Sequence, residues 1–189
     1  SSQIRDQLEY VLQTIINDPH SRRLMMTTFD PSSTDQCVLW PCHGIVTQFY
    51  CRDNNDTISD SSRHLDCVMY QRSADLVAGL PFNISSYALL LILICDVVNY
   101  RQSQQIAGSE ITPTPKIIPG KLTIHLGDLH IYEIKSHQSA VDQQIQRYPY
   151  PLPSLKLLNS HQSLDQYVWD DIVLEGYQYH SSLKINMVA

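Results

Sequence analysis

A thiol, several arginines, a carboxylate, an amide and a His/Tyr pair stand in short ordered clusters along this chain. Cys42 lies in Leu39-Trp40-Pro41-Cys42-His43, and Arg22-Arg23 precede it. Downstream come Tyr70-Gln71-Arg72-Ser73-Ala74-Asp75, Gly79-Leu80-Pro81-Phe82-Asn83 and Gly127-Asp128-Leu129-His130-Ile131-Tyr132. As the thiolate, cysteine is a strong nucleophile, and nearby cations lower its pKa towards neutrality. A guanidinium offers paired donors that match phosphate oxygens, which makes Arg22, Arg23 and Arg72 candidate anion ligands. The Asn83 amide donates and accepts at once, which suits a pyrimidine edge carrying a carbonyl beside a ring N–H. His130 and Tyr132, two residues apart, share one face if they lie on a strand, and could bond a sugar hydroxyl. Asp75 suits a general base or a cofactor anchor. Together these groups point to covalent chemistry on a phosphorylated pyrimidine.

Taken singly, each group has a plainer reading. An isolated cysteine is more often structural, and Cys37, Cys51, Cys67 and Cys95 are read that way. A lone arginine is more often a surface ion-pair partner. Asn83 reads locally as a helix N-cap, with Ser85 as the other candidate. His130 and Tyr132 read equally well as a satisfied core pair, and most aspartates like Asp75 bond a backbone or an arginine.

The elements that must position these groups follow from periodicity. Ile4, Leu8, Val11, Leu12, Ile15 and Ile16 predict an amphipathic helix over residues 3–17. Residues 23–29, 45–51, 65–71 and 121–126 read as strands, and 154–158 and 172–177 as two more. Residues 31–36 read as a turn-rich loop and 52–64 as an exposed polar loop. Residues 83–100 form the clearest helix, apolar all round and therefore buried. Residues 101–119 read as a surface insertion, and 136–147 as a helix ended by the prolines at 149, 151 and 153. Strands in runs around one buried helix predict an α+β fold, with a twisted, mostly antiparallel or mixed sheet and one domain over residues 1–189.

At 189 residues with 43% hydrophobic and 17% charged positions, the composition is that of a globular domain. The longest uninterrupted apolar run, Ala88 to Cys95, is short of the ~20 residues of a membrane span, so no membrane association is expected. A net charge of −6 disfavours non-specific nucleic-acid binding, but a local arginine cluster still accommodates an anionic ligand. Five scattered cysteines without metal-ligand spacing predict no metal and reduced thiols in an intracellular, cytoplasmic protein.

Read in order, the clusters resemble thymidylate synthase of the folate-dependent kind. The most specific stretches are Tyr70-Gln71-Arg72-Ser73-Ala74-Asp75 and Gly79-Leu80-Pro81-Phe82-Asn83-Ile84-Ser85-Ser86-Tyr87. Asp18-Pro19-His20-Ser21-Arg22-Arg23, Pro41-Cys42-His43, Gln48-Phe49-Tyr50, Gly127 to Tyr132 and the tail from Glu175-Gly176-Tyr177 to Met187-Val188-Ala189 agree in order. The resemblance implies that Cys42 adds to position 6 of the uracil of dUMP. The methylene group and then a hydride would come from methylene-tetrahydrofolate as co-substrate. It implies a substrate site of Gln71, Arg72, Ser73, Asp75, Asn83, His130 and Tyr132, with Arg22 and Arg23 reaching the neighbouring site of a homodimer. It places Asp75, Gly79, Phe82 and Val188 at the folate. An amide at Asn83, where cytosine-modifying relatives carry aspartate, implies uracil.

The match departs in two ways. The family carries a segment before the opening helix, supplying another phosphate arginine, a catalytic glutamate and aromatics that flank the folate. Nothing here aligns with it, so the expectation is the C-terminal portion of a longer enzyme, with little activity alone. The spacing from His43 to Gln48, the region after Tyr132 and two loops look expanded, and Ala78 replaces a larger apolar residue. Two other functions remain open: a pyrimidine nucleotide hydroxymethyltransferase, in which water replaces hydride, and a non-catalytic binding or assembly protein with the same fold.

Overall fold

A computed structural model describes residues 6–36, 40–54, 62–106 and 114–186. The order is α1 (Gln7–Asn17), β1 (Met25–Met26), a 3₁₀ turn (Pro31–Gln36), β2 (Val46–Asp53), β3 (Arg63–Asp75), α2 (Leu80–Ile106), β4 (Ile117–His130), α3 (Lys135–Gln144), β5 (Ser154–Leu157) and β6 (Ile172–Glu175), with two short 3₁₀ turns before β6. The main sheet runs β1-β2-β3-β4. Its first two pairings are antiparallel and β3–β4 is parallel. The fold is thus α+β around a sheet of mixed orientation, as expected.

Side-chain alternation divides the sheet into two faces. Phe49 opposite Cys67 and Cys51 opposite Leu65 point inward, onto Leu91, Ile94, Cys95 and Val98 of α2 and Val11, Leu12 and Ile15 of α1. Val46 opposite Tyr70 and Gln48 opposite Val68 point outward, and Val46, Tyr50, Val68 and Tyr70 are exposed. Asp6 caps α1 by accepting from the Glu9 N–H. Arg101 then clamps α1 to α2, its guanidinium donating to both Glu9 carboxylate oxygens at 2.8 and 3.0 Å. That bidentate pairing holds the Glu9 carboxyl below its usual range.

Several elements differ from the sequence expectation. The strand expected over 23–29 shrinks to two residues, because Thr27 leaves the ladder: its N–H donates to Gln7 Oε1 and its hydroxyl to the Ile45 carbonyl. The helix expected from 83 starts at Leu80, since Pro81 is tolerated in a first turn whose donors have no helical partner. Asn83 and Ser85 are therefore inside α2 and cap nothing. Much of the 101–119 stretch is not an insertion. Gln and Arg are good helix formers and carry α2 to Ile106, while β4 begins at Ile117; residues 107–113 lie outside the described residues. The polar 52–64 stretch is shorter as a loop, because β2 runs to Asp53 and β3 starts at Arg63.

Among the described residues α2 is long and apolar enough to cross a bilayer, with a mean hydropathy of 1.8 over 18 residues. Here its apolar side supplies the core beneath the sheet.

The β5–β6 ribbon is tied down by Asp171, whose side chain is 5% exposed. Its carboxylate accepts from Asn159 Nδ2, His161 Nε2 and the Val168 N–H. These hydrogen bonds, that from Asn159 foremost, hold its pKa at about 2, against 3.8 ordinarily. A folded-state pKa below the unfolded value stabilises fully above about pH 4, and the stabilisation drains away as pH falls towards 2. Urea midpoints from pH 5 to 2.5 should therefore fall more steeply for the wild type than for Asp171→Asn. Parallel curves would refute this.

Candidate active site

The last five residues of β3 organise the site. Strand alternation sends Gln71 inward to α2 and Arg72 outward. The Arg72 N–H donates to the Cys42 carbonyl at 2.7 Å, so the cysteine loop is hydrogen-bonded to the strand. The Arg72 guanidinium reaches the Pro41 and Trp40 carbonyls at 3.3 and 3.4 Å. Bonds that long are weak and leave the guanidinium available to an anion. Cys42 is half-buried, and it, Cys51, Cys67 and Cys95 are free thiols; Cys37 lies outside the described residues. Burial pushes the thiols of Cys51 and Cys67 up to about 11 and about 12, consistent with inert structural roles.

Behind the loop, His43 Nδ1 meets the Tyr87 hydroxyl at 3.1 Å. Gly44 makes the turn at φ +68°, and a β-carbon there would lie 2.3 Å from that hydroxyl. Only glycine fits both demands.

Gln71 is 1% exposed. Its Nε2 donates to the Ser73 carbonyl at 3.0 Å and to Asn83 Oδ1 at 2.9 Å. This fixes the rotation of the Asn83 amide: Oδ1 faces Gln71, and Nδ2 has no acceptor among the described residues. The Oε1 of Gln71 is buried without a partner among the described residues. The Ser73 hydroxyl is without a hydrogen bond among the described residues.

β3 and β4 run parallel and end together, Ser73 beside Asp128 and Asp75 beside His130. Parallel strands characteristically present ligand sites at their carboxyl ends. Asp75 Oδ1 accepts from the N–H groups of Val77 and Ala78, shaping the turn into α2, and Oδ2 is open among the described residues. Gly79 lies in that turn, and its carbonyl accepts from the N–H groups of Phe82 and Asn83. Phe82 is 74% exposed and, with Val77, borders a cavity of about 750 Å³ shared with α3 and residues 180–185. That size suits a drug- or cofactor-sized molecule.

His130 Nδ1 lies 3.0 Å from Asp128 Oδ2, and its ring meets that of Tyr132 edge-on at 4.9 Å. Tyr132 lies beyond the end of β4, so ring contact rather than strand alternation brings the pair together. Arg22 and Arg23 sit exposed in the turn after α1, and among the described residues neither guanidinium bonds the groups above. Val188 lies outside the described residues. Sequence reasoning missed His137, fully buried on α3 beside Tyr132; nothing in Lys135-Ser136-His137 marks it locally.

The chain matches the thymidylate synthase family over residues 1–110 and 111–189, that is, across its length. The chain belongs to the thymidylate synthase family. Among its relatives, the thymidylate synthase of Saccharomyces cerevisiae is 34% identical over 182 residues, covering 96% of this chain and 53% of the yeast protein. That of Mycoplasma pneumoniae is 36% identical over 179 residues, covering 95% and 52%. The bifunctional dihydrofolate reductase-thymidylate synthase of Leishmania major is 35% identical over 184 residues, covering 97% and 30%. The chain spans about half the length of the single-function thymidylate synthases it matches.

Proposed function

We propose that this chain contributes the nucleophile, the uracil reader and part of the folate site to the reductive methylation of dUMP to dTMP. The observation that carries the reading is the strand end at which Arg72 holds the Cys42 loop while Gln71 orients Asn83. In this reading residues 1–189 are one domain, the C-terminal portion of the catalytic unit.

Arg72 and Ser73 hold the 5′-phosphate, helped by Arg22 and Arg23 of the neighbouring subunit. Asn83 Nδ2 donates to uracil O4, and the second lone pair of Oδ1 accepts from N3–H. His130 and Tyr132 bond the deoxyribose hydroxyl. Cys42 Sγ attacks position 6 of the ring, and the electron pair released at position 5 makes that carbon nucleophilic. Methylene-tetrahydrofolate, when bound, supplies a one-carbon unit and a hydride. The open Oδ2 of Asp75 meets its pterin, with Gly79 and Phe82 beside it and Val188 closing from the C-terminus. The donor set present fits such a molecule: a free carboxylate oxygen, an exposed aromatic ring and an adjacent cavity of about 750 Å³.

Homodimerisation finds support in the outer sheet face. Val46, Tyr50, Val68 and Tyr70 form an exposed apolar patch in register on two strands, beside Met25 of β1. Patches of this kind mark association surfaces. Arg72 points to that same face.

The deciding experiment incubates the full-length protein with 5-fluoro-dUMP and methylene-tetrahydrofolate. Mass spectrometry should find a covalent adduct on the peptide carrying Cys42. No adduct under conditions that retain dUMP would favour a binding or assembly role. An adduct with the natural substrates yielding hydroxymethylated nucleotide and no dihydrofolate would favour the hydroxymethyltransferase.

A further inference from the structure

His137 joins three parts of the chain that the chemistry above does not connect. It stands in the first turn of α3 and is fully buried. Its Nε2 lies 2.9 Å from the Asn186 carbonyl. A carbonyl only accepts, so Nε2 carries a hydrogen and donates it. The Asn186 N–H adds a longer bond, 3.4 Å, to the Ser136 hydroxyl next door. On its other side, His137 Nδ1 is buried without a hydrogen-bond partner among the described residues and faces Asp75 Oδ1 at 3.9 Å. Its ring packs edge-on against Tyr132 at 5.5 Å.

These contacts stand behind the cavity of about 750 Å³. Leu76 and Val77, which follow Asp75, form one wall; Ala140 and Val141, one turn along α3 from His137, form another; Leu183 and Ile185, which precede Asn186, form a third. We propose that His137 is a positioning residue that bolts the 181–186 stretch to α3 beside Asp75, and so sets the width of the cleft in which a reduced folate lies. This rests on the proposed function for the identity of the ligand. The bolt itself rests only on the geometry.

Among the described residues the phosphate and uracil ligands Arg72, Ser73 and Asn83 share no hydrogen bond, ion pair or ring contact with His137, and of the proposed nucleotide ligands it meets Tyr132, through the ring edge, so its loss should act chiefly on the folate. Glutamine carries an amide nitrogen near the place of Nε2, whereas asparagine stops short of Asn186. In steady-state assays of the full-length protein, His137→Asn should raise the KM for methylene-tetrahydrofolate about tenfold, the scale of one lost hydrogen bond. The KM for dUMP should stay within about twofold, and His137→Gln should recover most of the loss. In ligand-free protein, amide exchange across residues 181–186 should quicken about tenfold in His137→Asn and stay near wild type in His137→Gln.

Equal folate KM values for the two variants, equal rises in both KM values, or exchange unaffected by His137→Asn would each overturn the proposal. Imidazole ¹⁵N shifts of the unmutated protein provide a test that needs no variant to fold. They should show His137 protonated on Nε2, and a proton on Nδ1 alone would overturn the bolt. Should the wild type turn over no dUMP, the functional reading fails, while exchange and ¹⁵N shifts still decide the role of His137.

Discussion

Cys42→Ser in the full-length protein is expected to lose methyl transfer by about 10⁴-fold or more in kcat, with dUMP affinity nearly unchanged. A serine hydroxyl at ordinary pKa is a far poorer nucleophile than a thiolate, and only the attacking atom changes. The loop that carries it should stay in place, because its anchor is the Cys42 carbonyl, which accepts from the Arg72 N–H at 2.7 Å whatever the side chain. The groups proposed to bind nucleotide, Arg72, Ser73 and Asn83, are not altered. Single-turnover kinetics and equilibrium binding of dUMP separate the two effects. A variant that still methylates at a tenth of the wild-type rate would remove Cys42 from the role of nucleophile. A variant that no longer binds dUMP would show that the thiol serves binding as well.

Asn83→Asp should move the preference from dUMP towards dCMP. The wild-type amide is oriented by Gln71, whose Nε2 donates to Oδ1 at 2.9 Å. In the proposed binding mode Nδ2 is then the group that meets position 4 of the ring. A carboxylate offers no donor there and repels the uracil carbonyl, while it accepts readily from the amino group of cytosine. A buried hydrogen-bond pair of this kind discriminates by about 10⁴–10⁵. The ratio of kcat/KM for dUMP over dCMP should therefore fall by several orders of magnitude. Unchanged selectivity would refute the readout, whatever the loss in rate. Gln71 can still donate to the new carboxylate, so the variant retains the local bond that orients position 83.

The ordered motifs named the candidate residues, but not how the fold wires them together. Gln71, Arg72 and Ser73 are consecutive in sequence, yet alternation on β3 gives them different neighbours: an asparagine on α2, a cysteine loop and the adjoining strand. Asn83 read as a helix cap because Pro81 conceals the true start of α2 one turn earlier. The strand expected around Met25 and Met26 was overestimated, because side-chain bonds from Gln7 and Thr27 replace ladder bonds there, and no local pattern announces such a trade. The turn at Gly44 was invisible for another reason: the atom that demands glycine belongs to Tyr87, 43 residues away. His137 was hidden likewise, since its partners lie at Asp75 and Asn186. The helix, the main strands and the α+β class came through because they rest on periodicity, which is local.

The outer face of the sheet has a consequence for how this protein should be handled. Val46, Tyr50, Val68 and Tyr70 cannot reach the core side of the sheet from where they stand, so only another surface can take them out of water. With a second copy on that face, folding and assembly become one equilibrium, and robustness becomes a property of the solution as much as of the chain. Each tenfold dilution then removes about 1.4 kcal/mol per dimer of protection. Melting temperatures taken at nanomolar and at micromolar protein should differ, and a sample judged fragile in a dilute assay would be sturdier at the concentration at which it was purified.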